Sequence, residues 1–254
     1  MRLSQNFIIT GNSSVINTNF FHPVTLNDGY YLALSGFSSG SICNVTSKNG
    51  QVFLKGRETE AVVPIPKSYY HTVGSLLTVL KDSINKFLKQ EWGITKEATL
   101  KFAIRSNLWT LSMPSGNSIS TCKNDPSNVF NLMEIEDGDF ETVSVVETTF
   151  YTDIELAFLY CSIVQESNIN ARESRLLDII PLKTNTMYNY YEPHNLKFRK
   201  IAIEEFTNIS FEIRDSSGEL LEFAAPHAGC SVHSTSFDVV TRPVVLCLKI
   251  VKGI

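Results

Sequence analysis

The sequence predicts an all-β fold, an antiparallel β-sandwich with inserted hairpins and one or two short helices. Three observations predict it. Apolar and polar residues alternate with a period of two through well over eight short segments. Only one long stretch carries the three- and four-residue spacing of an amphipathic helix. An Asn49-Gly50 pair stands between two alternating runs, where both turn positions must accept positive φ. Helices do not alternate with the strands, so a sandwich is favoured over βαβ winding.

The elements follow in order. Alternation marks strands at residues 7–10, 30–34 and 61–65. A first hairpin is expected over residues 41–54, turning at Asn49-Gly50, and a second pairs 99–105 with 108–113 through Ser106-Asn107. Between them Val73, Leu76, Leu77, Leu80, Ile84, Phe87 and Leu88 line one face of a helix that Gly93 stops. A short second helix is expected where Asp125 can cap, Pro126 suits the first turn, and Val129, Leu132 and Met133 share a face. Both helices read as covers on a sheet. Further strands are expected at 142–149, 154–164, 175–180, 209–214, 219–223 and 244–251. Residues 224–242, rich in Ala, His, Ser and Gly, read as a long loop.

Composition narrows the function. The chain has 254 residues, of which 43% are hydrophobic and 19% charged, and the charged share lies below the roughly 25% usual for soluble domains. That excludes a disordered or coiled-coil chain. Lys plus Arg total 22 against 26 for Asp plus Glu, a formal charge of -4, so strong nucleic-acid binding is not expected. The longest strongly apolar run, 156–164, is far short of the roughly 20 residues of a membrane-spanning helix. The N-terminus turns polar before an apolar signal segment could form, and the sequons at Asn12, Asn44 and Asn208 read as chance matches. Cys43, Cys122, Cys161, Cys230 and Cys247 are odd in number and scattered, which fits reduced thiols in a cytosolic or nuclear setting.

Four patterns carry possible chemistry, and each has a plainer reading. Gly36-Phe37-Ser38-Ser39-Gly40 spells G-x-S-x-G, but a nucleophile elbow needs a helix after the serine and a hairpin is expected instead. His227, Cys230 and His233 offer three metal-ligand types without the fourth ligand of a structural zinc site, so an exposed polar loop is the plainer reading. Cys161 or Cys230 could be paired with His194 for thiol chemistry, yet nothing local activates either cysteine. Glu134, Glu136, Asp137, Asp139 and Glu141 surround Gly138 without the spacing of a calcium loop. No phosphate-binding loop or dinucleotide fingerprint occurs. The expectation is therefore no enzyme, no catalytic residue, no metal and no cofactor.

The C-terminal third is the most informative. Leu177, Ile180 and Pro181 are followed by Tyr191 and Pro193, then Phe206, Ile209 and Ile213, a turn at Asp215-Ser216-Ser217-Gly218, Phe223, and finally Leu246 and Leu248. This order resembles the capsid-protein pattern of Polinton (Maverick) elements, virophages and related double-stranded DNA viruses. Upstream, Ile65-Pro66-Lys67-Ser68-Tyr69-Tyr70 and Ser127-Asn128-Val129-Phe130-Asn131-Leu132-Met133 also look like that family, so the resemblance covers roughly residues 60–252. The stretch 224–242 departs from it, since a short passage would be expected there.

The resemblance implies a jelly roll, and the chain length suits the minor capsid, or penton, protein better than the longer major one. It implies a homopentamer at the icosahedral vertices of the virion, surrounded by trimers of the major capsid protein and assembled in the host cytoplasm or nucleus. The expected organisation is one jelly-roll domain over residues 1–254, with a possible inserted lobe at 67–141. No Arg-Gly-Asp tripeptide is present, so integrin attachment is not carried over. The competing readings are a β-sandwich attachment or glycan-binding module, a major-capsid-type shell protein, and a hydrolase using Ser38.

Overall fold

The structure, a computed structural model, describes residues 4–26, 29–57, 59–122, 125–133, 135–150, 154–169, 172–183, 188–224 and 243–253. Its first strands are β1 (Ser4–Gly11), β2 (Val15–Thr25), β3 (Tyr30–Gly40), β4 (Gln51–Lys55) and β5 (Glu60–Pro64), followed by the helix α1 (Val73–Gln90). Then come β6 (Thr99–Ala103), β7 (Leu108–Ser112), β8 (Ser118–Thr121), β9 (Gly138–Phe140) and β10 (Thr142–Val146). The remainder are β11 (Leu156–Cys161), β12 (Ser167–Ile169), β13 (Arg172–Ser174), β14 (Leu176–Pro181), β15 (Tyr188–Tyr191), β16 (Arg199–Lys200), β17 (Glu205–Arg214) and β18 (Val244–Lys252). The chain divides into two compact units, Met1–Ile42 with Thr152–Ile254, and Cys43–Tyr151. The lobe expected at 67–141 lies inside the bounds of the second.

The first unit is built on two antiparallel sheets, besides the small two-stranded pair β12-β13. One has the order β1-β18-β3-β15, with β16 also pairing β3, and the other the order β14-β11-β17-β2. Counting β1, β2, β3, β11, β14, β15, β17 and β18 as first to eighth, the orders read 1-8-3-6 and 5-4-7-2. First lies beside eighth, second beside seventh, third beside sixth and fourth beside fifth, which is the strand arrangement of a jelly roll. Strict alternation makes it. Val244, Leu246, Leu248 and Ile250 of β18 and Ile209, Phe211 and Ile213 of β17 are all buried in one apolar cluster with Leu159 and Leu177.

Where β18 meets β3, Cys247 pairs Gly36 but Leu248 pairs Leu34, so Ser35 is an extra residue. Its Oγ donates to the Cys247 carbonyl at 3.0 Å. A Cβ on Gly36 would come within 3.3 Å of the Cys247 Cβ, so glycine permits that approach.

The second unit packs α1 with the sheets β5-β4-β8-β9 and β10-β7-β6. Thr72 opens α1 with a capping box, its side chain accepting from the Ser75 N–H while the Ser75 hydroxyl oxygen accepts from the Thr72 N–H. Val73, Leu76, Leu77, Leu80, Ile84 and Leu88 are fully buried against Val52, Leu54, Leu111, Ile119 and Phe130. Gly93, at φ 66°, ends the element as the spacing predicts. Within the first turn, Gly74 lies against the indole of Trp109 on β7. The Glu147 carboxylate accepts from both the Gly74 N–H and the Trp109 Nε1–H.

Several expectations change. The hairpin β6–β7 forms as read, with Asn107 at φ 52° in its turn. The hairpin expected over 41–54 does not: β4 pairs β5 and β8, while Val45 bridges Ser68. Asn49 folds onto its own loop instead, accepting from the Thr46 N–H at 2.7 Å and donating to the Asn44 carbonyl at 2.9 Å. Gly50 is needed for closeness, since a Cβ there would stand 2.7 Å from the Thr46 carbonyl oxygen. The second expected helix is a single 3-10 stretch, Val129–Met133, after a turn in which Asp125 accepts from the Ser127 N–H and hydroxyl. Residues 219–223 make isolated bridges, Leu220 to Arg214 and Phe223 to Ile42, rather than a strand.

Candidate functional site

Two of the sequence candidates for nucleophilic chemistry, Ser38 and Cys161, stand in settings that do not favour it. Ser38 lies inside β3, which continues to Gly40, and is flanked by Val245 on one side and Tyr190 on the other. An elbow needs the chain to turn sharply at the serine, and here it runs straight. Cys161 is buried in β11, and burial pushes its thiol up to about 12, despite the Ile163 and Val164 N–H groups and nearby Arg175. A thiol so placed is an inert packing group. His194 is exposed beyond Pro193. His227, Cys230, His233 and the rest of 225–242 lie outside the described residues, as does Glu134.

Asp139 of the acidic stretch is committed to Lys55, whose ammonium donates to it at 2.8 Å and holds its carboxyl below the ordinary carboxylate range. Among the described residues, no group of three or more His, Cys, Asp or Glu side chains is placed to hold a metal ion.

Two surfaces of the jelly roll remain, one on each sheet. The outer face of the β17 sheet carries an open groove of about 840 Å3. Phe158 and Tyr160 of β11 stand beside Arg214 and Glu212 of β17, as the register dictates. Both arginines of the groove are tied down. Arg214 donates to Glu212 at 2.7 Å and to the Gly218 carbonyl at 2.6 Å, and Arg175 donates to Glu166 at 3.1 Å and to the Ser162 carbonyl at 3.0 Å.

The turn at its rim is built by Asp215, which accepts from the Ser217 N–H, the Ser217 hydroxyl and the Glu219 N–H. Partial burial raises the Asp215 carboxyl, but these hydrogen bonds outweigh it and leave the group below its ordinary value. Gly218, at φ 87°, closes the turn.

The outer face of the β18 sheet is different in kind. The register places Thr10, Val245, Ser38 and Tyr190 in one row across four strands, and Ile8, Cys247 and Gly36 in the next. Neither row contains a formal charge. Ile8 is 72% exposed, Tyr190 59% and Tyr188 52%. The Tyr190 hydroxyl donates to Glu192 at 2.9 Å, and that bond raises its pKa. Sequence reading missed this surface, because alternation locates an outward face without saying what it meets.

One buried charge belongs to neither surface. Asp178 of β14 is buried beside Leu159 across the sheet and pairs with Lys197 at 3.1 Å, while its Oδ2 has no hydrogen-bond partner.

No family profile matches the sequence, and a search of curated proteins finds no relative. Among solved structures the chain is similar to the selenomethionine-labelled mavirus penton protein, at 14% identity over the whole of both chains and a TM-score of 0.41. The assignment of the jelly roll rests on its own strand order rather than on that likeness.

Proposed function

We propose that this chain is a non-enzymatic structural protein of a viral shell, a penton-type minor capsid protein that assembles with copies of itself at the vertices of the virion and contacts trimers of the major capsid protein. The observation that carries the reading is a jelly roll whose β18 sheet presents, on its outer face, two adjacent rows without formal charge, with Ile8, Tyr188 and Tyr190 exposed. An apolar surface without charge favours burial against another protein, and its burial supplies the driving force for assembly. The strand order and the residues from Leu177 to Leu248 that resemble the capsid pattern support the same reading. The inactive settings of Ser38 and Cys161 argue against hydrolysis.

The test is the assembly state. Light scattering and negative-stain imaging of purified protein should give rings of five copies, and antibody labelling should mark particle vertices. A protein that stays monomeric at all concentrations and never joins particles would overturn the reading.

The groove on the other sheet favours a second reading, a glycan-binding attachment module. Phe158 and Tyr160 could stack on a sugar, with the carboxylates of Glu166 and Glu212 accepting from its hydroxyls. A glycan array compared with Tyr160→Ala decides it: binding lost in the variant supports the module, and no binding by the native chain removes it.

A further inference from the structure

Each of β1 and β2 is paired on one side only among the described residues, β1 with β18 and β2 with β17. Together they form one long edge of the sandwich, drawn shut by Phe7 and Phe20 at 6.5 Å between ring centroids. Exposed edges of this length invite other chains, and proteins usually blunt them with charge. This edge has none. No Asp, Glu, Lys or Arg occurs between Arg2 and Asp28. Two other edge strands of the same unit are guarded: β14 carries the inward-pointing Asp178 and ends in Pro181, and β16 is Arg199-Lys200, whereas β15 is uncharged.

The edge also projects its own anchor. The register of β2 on β17 jumps from Asn19 opposite Asn208 to Val24 opposite Phe206, so the residues from Phe20 to Pro23 face Thr207 alone. That wide bulge turns Phe20 inward against Phe206 and throws Phe21 out, where it is 103% exposed. Ile8 of β1 and Val15 of β2 are exposed on either side of the same edge.

The sheet that begins with β1 ends, on the far side of β3, at β15, where Tyr188 and Tyr190 are exposed. The unit therefore carries two apolar patches of different shape, one on the β1–β2 edge of the sandwich and one at the opposite end of the β1 sheet. A neutral edge gives no purchase to a partner recognised by its charge, whereas an aromatic rim on a second copy answers it in kind. Two unlike patches on one molecule make a head-to-tail contact, which is the kind that closes into rings.

We infer that the β1–β2 edge of one copy, led by Phe21, docks against the β15 end of the sheet in the next copy, at Tyr188 and Tyr190. The inference rests on the assembly reading above and names the surfaces it uses. Because Phe21 and Tyr190 are exposed, substitutions there leave the isolated fold intact, which an unchanged urea midpoint verifies.

The experiment uses the full chain and two variants, Phe21→Asp and Tyr190→Arg. Each alone should weaken self-association at least about tenfold, as expected for losing an aromatic anchor at an interface. Mixed together they should re-associate, because one variant keeps an intact edge, the other keeps an intact rim, and the altered pair is of opposite charge. A contact between two copies of the same edge would instead be lost in Phe21→Asp and kept in Tyr190→Arg, so that pattern would overturn the inference. If the native chain forms rings and either variant forms them equally well, this inference fails while the assembly reading stands. A native chain that never self-associates removes both.

Discussion

Replacing Gly74 by alanine should destabilise the Cys43–Tyr151 unit, although the same change at an ordinary helix position does the opposite. In an unobstructed helix, alanine is better than glycine by about 1 kcal/mol. At position 74 a Cβ would stand 2.5 Å from Cζ2 and 2.6 Å from Cε2 of Trp109. The indole has little room to yield. Its Nε1–H is tied to Glu147, and its face lies against Phe102 with centroids 4.6 Å apart. Forcing a methyl group into such packing costs about 1–3 kcal/mol, and a pinned ring places this case at the upper end. Subtracting the helix gain leaves a net loss of about 2 kcal/mol.

The assay is favoured by the sequence, since the two tryptophans of the chain, Trp92 and Trp109, both fall in this unit. Tryptophan fluorescence in urea therefore follows its unfolding, and the midpoint should drop by about 1 M. Adding Trp109→Leu should make the second change cost much less than it does alone, because the two groups collide directly. An unchanged or higher midpoint for Gly74→Ala would refute the packing argument.

Three further outcomes are expected. Iodoacetamide at pH 8 should label exposed Cys122 in the folded chain and reach Cys161 only in denaturant, because a thiol raised to about 12 is almost wholly protonated there; equal labelling rates would contradict it. Lys197→Met leaves the Asp178 carboxylate buried without its cation and should cost about 2–3 kcal/mol, with much of it recovered when Asp178→Leu is added; a single variant as stable as the native chain would remove the pair from the account. Asp215→Ala should lower stability at neutral pH. Since the folded-state carboxyl lies below its ordinary value, its contribution is present above that value and is lost as pH falls through the folded one. The gap between native chain and variant should therefore narrow below about pH 4, and a gap equal at pH 3 and pH 7 would speak against the hydrogen-bonded turn.

What could be read from the sequence was whatever alternation or spacing marks by itself. The runs ending in Leu246 to Ile250 and Ile209 to Ile213 advertise their inward faces, and α1 advertises its stripe from Val73 to Leu88. β2 went unread because Asn17, Asn19 and Pro23 are poor strand residues and Phe20-Phe21 breaks the period at the bulge. Asn49-Gly50 misled for the opposite reason: the pair is a strong turn signal, but the Asn49 amide bonds within its own loop and β4 finds its partners elsewhere. The G-x-S-x-G pattern was set aside for want of a helix after it, and the structure shows Ser38 inside a strand that continues to Gly40 rather than ahead of a hairpin. The uncharged edge was legible as a gap in the charge pattern between Arg2 and Asp28. It became meaningful only once the sheet order placed both strands at a rim.

The insertion of Cys43–Tyr151 between the third and fourth strands of the jelly roll has a consequence for synthesis. Every sheet of that unit closes within its own contiguous residues, so it can complete its pairings while the remainder is still being translated. The first three jelly-roll strands have no such option. β1 and β3 both depend on β18, and β2 depends on β17, so Ser4 waits for Val251 and Ile16 for Phe211. Pairings of such long range are slow to find. The β1–β2 segment thus leaves the ribosome long before its partners and is among the last to be covered, and it is also the neutral, strand-prone one. A nascent chain of this kind has reason to engage a chaperone through its β1–β2 segment, and expression at low temperature or slow induction should raise its soluble yield.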